Sequence, residues 1–296
     1  MNQKRLKTKT GEALSAYLMI LPDFIGLLIF LFVPILYALY ISFFNWDGLS
    51  EMHFSGIKNY IALIKDDGFL NSLGVTLHYV IIYVPAVFIV SLLLALLVQA
   101  IDGKAQNIFR SLYFVPYSIS TVVAATIWLF LYDNRKGFFN TVLTAVGLPR
   151  GTFLSSGAQA LESVAVVGIW LVCGYNMVIF LAAIKDVPRS YYEAAEIDGA
   201  SSLRKFWNIT LPSIRDTNIF VLVVTTVNSF QVFDQIKIMT AGGPGRATEV
   251  TVYYIFNQAF GVYRFGYASA ASILLALIMF ALTMIQFKIT GMMKEG

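Results

Sequence analysis

The side chains able to do covalent or acid–base chemistry in this chain are few and scattered. There are two histidines, His53 and His78, and one cysteine, Cys173, which sits inside an apolar run. Two histidines and a lone thiol do not make a His-rich metal site, and the HExxH pattern of a zinc-activated water is absent. The only Gly-Lys pair, Gly103-Lys104, is followed by Ala105, so the chain carries no GxxxxGK[ST] loop to cradle ATP phosphates. A single cysteine forms no intramolecular disulfide and leaves the redox compartment open.

What remains is non-covalent chemistry. Tyr175 and Asn176 stand in one apolar run; Asn228, Ser229, Gln231 and Val232 stand in another, with Asp234 and Lys237 further along it. Amides and hydroxyls trade hydrogen bonds with the polar groups of a solute, and aromatic faces cover C–H groups. Gly168, Leu171, Val172 and Tyr175 follow i, i+3, i+4, i+7 spacing and share one helical face. These residues are candidate walls of a path for a polar solute. Interhelical hydrogen bonding that simply holds helices together is the alternative, and it stays open on sequence alone. Asp234 and Lys237, three apart, are placed to pair with each other. His78 reads as a satisfied side chain rather than a proton relay.

The elements that must position these groups follow from composition. Of 296 residues, 58% are hydrophobic and only 13% are charged, with mean hydropathy +0.72. A soluble domain carries about a quarter charged residues, so this chain cannot clothe a globule in a solvated surface. An ordinary soluble enzyme, a disordered chain and a basic-patch nucleic-acid binder are excluded. Crossing ~30 Å of hydrocarbon takes about 20 apolar residues in a helix. Six stretches qualify: 24–44, 75–100, 111–132, 163–184, 217–240 and 265–287. Lipid offers no partners to backbone N–H and C=O groups, so each is expected to be helical; none shows the period-2 alternation of barrel strands. Pro34, Pro85 and Pro116 fall inside spans and are expected to kink them. The first run is too long for the apolar core of a signal peptide and reads as a retained span.

Alternate loops fall on opposite sides of the membrane. The side holding both termini carries thirteen Lys and Arg, including Lys4, Arg5, Lys7 and Lys9, against eight on the other. Basic residues favour the cytoplasmic side, so the net charge of +4 reports topology rather than a nucleic-acid partner. Both termini are expected in the cytoplasm.

The loop 185–216, between the fourth and fifth spans, is then cytoplasmic and reads as two short helices. Ser190-Tyr191-Tyr192-Glu193 fits a capping box. Gly199 supplies the left-handed conformation that ends the first helix. Ser201 or Ser202 starts the second, which carries Leu203, Phe206 and Trp207, and Pro212 closes the unit. Apolar and aromatic side chains on a charged loop must pack on the span ends, on a second protein, or on the membrane interface as an amphipathic helix.

Glu193-Ala194-Ala195, Gly199, Ile209, Leu211 and Pro212 form EAA-x3-G-x9-I-x-L-P. This resembles the signature of the inner-membrane subunits of binding-protein-dependent ABC importers. Arg110-Ser111-Leu112-Tyr113-Phe114-Val115-Pro116-Tyr117 with Trp128, then Gly137-Phe138-Phe139-Asn140, Gly147-Leu148-Pro149, and the stretch from Asp234 to Pro244 resemble its carbohydrate-type members. Ala241 stands where that family usually has glycine. The likeness runs over residues 15–290 and is nearest to the first of two paired permeases of the maltose, raffinose and glycerol-phosphate type.

The resemblance implies an all-α integral membrane protein with six transmembrane helices and a cytoplasmic coupling-helix loop between spans four and five. It implies a cytoplasmic N-terminal tail 1–16, a transmembrane domain 17–290 with coupling loop 185–216, and a tail 291–296. Tyr192, Glu193, Ala194, Ala195, Asp198, Gly199, Leu203 and Phe206 would meet an ATPase dimer. ATP and magnesium would sit on that ATPase, with no cofactor on this chain. The other implied partners are a second homologous permease, an extracytoplasmic solute-binding protein, a sugar and the bilayer of a bacterial or archaeal cytoplasmic membrane. A stand-alone secondary transporter or channel would need carboxylates buried in several spans and paired broken helices. An intramembrane enzyme would need paired aspartates, a metal site or an activated serine. The sequence offers neither set.

Overall fold

A computed structural model describes residues 2–290, with side chains from Ser15 onward. Lys4, Arg5, Lys7 and Lys9, and the tail 291–296, lie outside the described side chains and residues. The chain divides into two compact units, one taking residues up to 65 and 255–275, the other 66–254 and 276 onward.

In the first unit a helix, α1, runs Asn2–Leu27, passes through a π turn at Leu28–Phe32 and continues over Val33–Ile41 with Pro34 in its first turn. The π turn widens the backbone just before Pro34, whose missing N–H would otherwise break the ladder. From Ser15 to Tyr40 its side chains are almost all exposed, Phe30 at 83%, an apolar surface tolerable only in a bilayer or against another protein. An antiparallel pairing of two residues each, β1 (Phe44–Asn45) with β2 (His53–Phe54), follows. Helix α2 (Lys58–Ile64) sends Asn59 Nδ2 to the carbonyls of Ser42 and Phe44 at 2.8 and 2.9 Å.

The second unit is built on α3 (Asp67–Gln99) and α7 (Ala160–Lys185), long apolar helices packed along each other. Between them in sequence come α4 (Gly103–Phe114), α5 (Thr121–Leu131) and the short amphipathic α6 (Phe138–Ala145). After α7 come α8 (Arg189–Ile197), α9 (Ser202–Lys205), α10 (Arg215–Phe230) and α11 (Asp234–Met239). The chain continues through α12 (Thr251–Phe256) to α13 (Phe265–Thr290). Two apolar clusters lie along the α3–α7 contact. One gathers Val87, Val164, Val167, Leu171 and Ile236; the other gathers Leu92, Ala95, Met177, Phe180 and Ile184.

Several expectations are revised. Four helices among the described residues are long and apolar enough to cross a membrane, or five if a bent pair counts as one span. The third expected span, 111–132, is that pair: α4, a 3₁₀ turn at Val115–Ser118 and α5 meet at 97°. Pro116 removes an N–H there, and Ile119 and Ser120 are extended. The fifth, 217–240, is not continuous. Helix α10 stops at Phe230, Phe233 takes φ −142°, and α11 begins at Asp234. Pro85, by contrast, leaves α3 helical throughout. The capping box is also absent. Helix α8 starts at Arg189 with Pro188 as its cap residue and no side-chain cap bond. Ser190 is therefore inside the helix, and Glu193 sits in the second turn, paired with Arg189 at 3.1 Å.

Candidate functional site

The break between α10 and α11 is where polar groups converge. Asn228 accepts from the Gln231 backbone N–H at 3.1 Å, closing the last turn of α10. Ser229 Oγ donates to the Thr226 carbonyl at 2.7 Å and is buried. Beyond them Gln231, Val232 and Phe233 cross to α11. A cavity of about 180 Å³ opens at this crossing. Asn228, Ser229, Gln231 and Val232 line it, together with Phe233 and Asp234.

Its other walls were not singled out from sequence. They are Tyr79 and Tyr83 of α3, Thr121 at the start of α5, and Gln235 of α11. The two tyrosine rings stack at 5.0 Å and 17°. Gly168 makes room for them: a Cβ there would stand 2.8 Å from Tyr83 Cε2, 3.0 Å from the Tyr79 hydroxyl and 3.3 Å from Gln235 Oε1. The available signal was the i, i+4 spacing of Tyr79 and Tyr83 in an apolar run, two polar-tipped aromatics on one helix face.

The remaining expected path residues are not gathered into this cavity. Leu171 is buried in the first apolar cluster, and Val172 packs against it. Tyr175, exposed, stacks on Tyr117 at 4.4 Å and 15°. Asn176 is buried. Between Cys173 and Tyr175, Gly174 lets α7 touch the backbone of α4, since a Cβ there would lie 1.7 Å from the Tyr113 carbonyl oxygen.

The second constellation is the loop after α7. Gly199 takes φ +70°. The Ala200 N–H bonds the Ala195 carbonyl at 2.8 Å and the Gly199 N–H bonds that of Glu196 at 3.0 Å. This is a Schellman cap, which satisfies the carbonyls that a helix end leaves open. Ser201 then caps α9, its Oγ accepting from the Arg204 N–H at 3.4 Å. Lys205 Nζ bridges back to Glu196 Oε1 at 2.8 Å, and this hydrogen bond, with the attraction of the ammonium, holds the Glu196 carboxyl below its ordinary pKa. The Tyr192 hydroxyl meets Thr210 Oγ1 at 3.0 Å, and Phe206 packs on the second apolar cluster. Glu193, Ala194, Asp198, Gly199 and Leu203 are exposed, and Ala195 is partly so. Tyr191, Trp207 and Ile197, the last at 88%, leave apolar surface uncovered beside them. Among the described residues no group of three His, Cys, Asp or Glu is placed to hold a metal.

Residues 100–290 match the family described as the binding-protein-dependent transport system inner membrane component. The chain belongs to this family. It is therefore a permease component of an ABC importer, an inner-membrane transport subunit with several apolar helices. The probable ABC transporter permease protein YurN of Bacillus subtilis is 34% identical over 283 residues, covering 94% of this chain and 97% of that one. The sn-glycerol-3-phosphate transport system permease protein UgpA of Agrobacterium fabrum is 36% identical over 278 residues, covering 92% and 93%. Among solved structures, a chain of a bacterial alginate ABC transporter in complex with an alginate pentasaccharide-bound periplasmic protein superposes with TM-score 0.85. It is 24% identical and covers 98% of the permease and 99% of its own length, a likeness of fold.

Proposed function

We propose that the permease carries a sugar-type solute, an oligosaccharide, monosaccharide or polyol, across a bacterial or archaeal cytoplasmic membrane. A separate ATPase dimer, holding ATP and magnesium, drives it through the loop 185–216. A second homologous permease completes the pathway, and an extracytoplasmic binding protein delivers the solute. The transmembrane domain covers 17–290, in six spans with both termini cytoplasmic; the fifth crosses as the interrupted pair α10 and α11. The tails 1–16 and 291–296 lie in the cytoplasm.

The observation that carries this reading is the double-capped helix pair α8–α9. It holds Glu193, Ala194, Asp198, Gly199 and Leu203 at the surface beside exposed Ile197 and Tyr191. An apolar patch on so short a loop, rigidified by caps and rimmed with charge, has the anatomy of a docking surface. Helix α8 has nine residues, too few to be stable alone, so its geometry is supplied by caps and bridges. The solute reading rests on the relatives named above and on the amides and hydroxyls around the α10–α11 break.

The test is expression of the permease with its neighbouring transport genes. A complex containing a second permease and two ATPase copies, taking up labelled sugars, is expected. Reporter fusions at Gly103 and Gly291 are expected inside, and those at Gly151 and Gly245 outside. A transport-competent homodimer, or a reversed reporter pattern at two sites, would contradict the assembly and the topology respectively.

A further inference from the structure

Between α5 and α7 the chain forms a firmly built segment to which the transport reading gives no role. Its helix, α6, is stopped by Gly147 at φ +78°, where the Leu148 N–H bonds the Leu143 carbonyl at 2.9 Å. Buried Asn140 ties the helix to the strand of chain that follows. Its Oδ1 accepts from the Gly151 N–H at 2.8 Å, and its Nδ2 donates to the Gly151 carbonyl at 3.1 Å. Phe139 fixes α6 to α5, its ring centroid 5.5 Å from that of Trp128 and 5.3 Å from that of Tyr132. A platform held this way still leaves Phe138, Val142 and Val146 uncovered, Phe138 at 59% exposure and Val146 at 65%. Their i, i+4, i+8 spacing puts them on one side of the helix, with exposed Thr144 on the other.

We propose that this face lies in the headgroup layer of the bilayer and binds anionic phospholipid. The apolar stripe enters the acyl boundary, and Arg135, Lys136 and Arg150 meet the lipid phosphates. Charge complementarity is one argument. Residues 133–159 hold these three cations and a single acid, Asp133. Asp133 is engaged by the N–H groups of Arg135 and Lys136, at 3.0 and 2.7 Å. The three cations are exposed, and none forms a salt bridge among the described residues. Position is the other argument. Helix α5 ends at Leu131 and α7 begins at Ala160, so the segment stands where apolar helices of a membrane subunit reach their ends. It continues an exposed apolar surface, since Ile127 and Phe130 near the end of α5 are exposed as well. A short helix at that level, with an aromatic-bearing stripe and a basic rim, lies in the plane of the interface. In the topology proposed above the leaflet is the outer one. The binding itself needs the bilayer and neither the solute nor the ATPase.

The test uses the assembled permease–ATPase complex in nanodiscs of phosphatidylcholine and phosphatidylglycerol, in a Cys173→Ala background. Phe138→Cys, Val142→Cys, Thr144→Cys and Val146→Cys each carry a nitroxide. At 138, 142 and 146 collision with oxygen is expected to exceed collision with a water-soluble nickel chelate, and at 144 the reverse. Water-like access at all four positions overturns the proposal. Exclusion of both colliders from the stripe, the result of a protein partner covering it, overturns it too. Charge is read separately, from a fluorophore on Val146→Cys quenched by doxyl-labelled phosphatidylglycerol or phosphatidylcholine. Phosphatidylglycerol is expected to be preferred, and Arg135→Gln, Lys136→Gln and Arg150→Gln each to lower that preference about fivefold. Equal quenching by the two lipids, or a preference that all three substitutions leave unchanged, overturns the anionic class. A reporter at Gly151 found inside would instead overturn the topology and leave this binding standing.

Discussion

Gly199 separates backbone strain from surface exclusion cleanly in the loop 185–216. Its φ of +70° lies where a residue with a Cβ is strained by about 1–2 kcal/mol, and where asparagine is strained least. A Cβ built on Gly199 meets nothing within 4 Å, so within the permease a side chain has room and only the backbone objects. That strain falls on the two cap bonds at 2.8 and 3.0 Å and, through them, on the turn that aims α9. Because α8 has nine residues, about 1–2 kcal/mol changes the population of its native geometry roughly 5- to 30-fold. The core of the unit is untouched.

The graded series is Gly199→Asn, Gly199→Ala and Gly199→Val, assayed by ATPase co-purification in detergent beside sugar uptake. If loop geometry is what the ATPase reads, asparagine stays within a few-fold of glycine, alanine loses several-fold, and valine loses most. All three should keep the melting temperature of the membrane domain. If asparagine is as damaging as valine, the partner excludes any side chain at this position, and strain is not the cause. If valine retains full ATPase binding and uptake, α8–α9 is not the coupling element, and the assignment of Glu193, Ala194, Ala195 and Gly199 to that contact fails.

Two further outcomes follow from the geometry. Gly174→Ala places a Cβ 1.7 Å from the Tyr113 carbonyl oxygen, so α7 and α4 must part by about 1.5 Å; overpacking of this kind costs on the order of 2 kcal/mol, and it should show as a lower melting temperature and a separated Tyr117–Tyr175 pair in a crystal structure, whereas a wild-type melt would refute the contact. Asp47 accepts from the Ser50 and Leu49 N–H groups and the Ser50 hydroxyl, which hold its pKa down to about 2, and Asp133 is lowered likewise by the N–H groups of Lys136 and Arg135. Because the folded value lies below the ordinary 3.8, both turns hold fully above pH 4 and loosen as pH falls toward 2, so amide exchange at Leu49, Ser50, Arg135 and Lys136, corrected for intrinsic rate, should speed up there; protection unchanged from pH 5 to 2.5 would refute the assignment.

Chain-local chemistry was legible in the sequence, and tertiary choices were not. The apolar runs became helices because lipid and core alike demand satisfied backbone. Gly199 and Ser201 were readable because a Schellman turn and a serine cap are decided by three or four adjacent residues. Ser190 was misread because Pro188, two residues earlier, already fixes an extended backbone and starts the helix at Arg189. The three prolines looked alike in sequence and behave differently: Pro85 is absorbed by α3 packed along α7, Pro34 follows a π turn, and Pro116 breaks its span. Nothing in Asn-Ser-Phe-Gln-Val-Phe-Asp announces a helix break by glycine or proline. Tyr79 and Tyr83 were legible only as two aromatics on one helix face, because it is the fold that brings α3 against the α10–α11 crossing.

The interruptions that spoil a simple count of spans are also what make a polar site possible in so apolar a chain. Helix α10, at sixteen residues, reaches about 24 Å, short of the ~30 Å of hydrocarbon. The six residues of α11 add about 9 Å, so in the proposed six-span topology only the two helices together would cover the distance. The 3₁₀ turn and bend before α5 release Thr121 into the same cavity. Irregular backbone at membrane depth persists only where protein or a polar cavity receives its free N–H and C=O groups. Two such irregularities border one cavity here, beside tyrosine hydroxyls and a glutamine amide that find no partner within the described residues. A continuous fifth helix would have kept its backbone groups to itself. The break at residues 231–233 is therefore the feature that shapes this cavity.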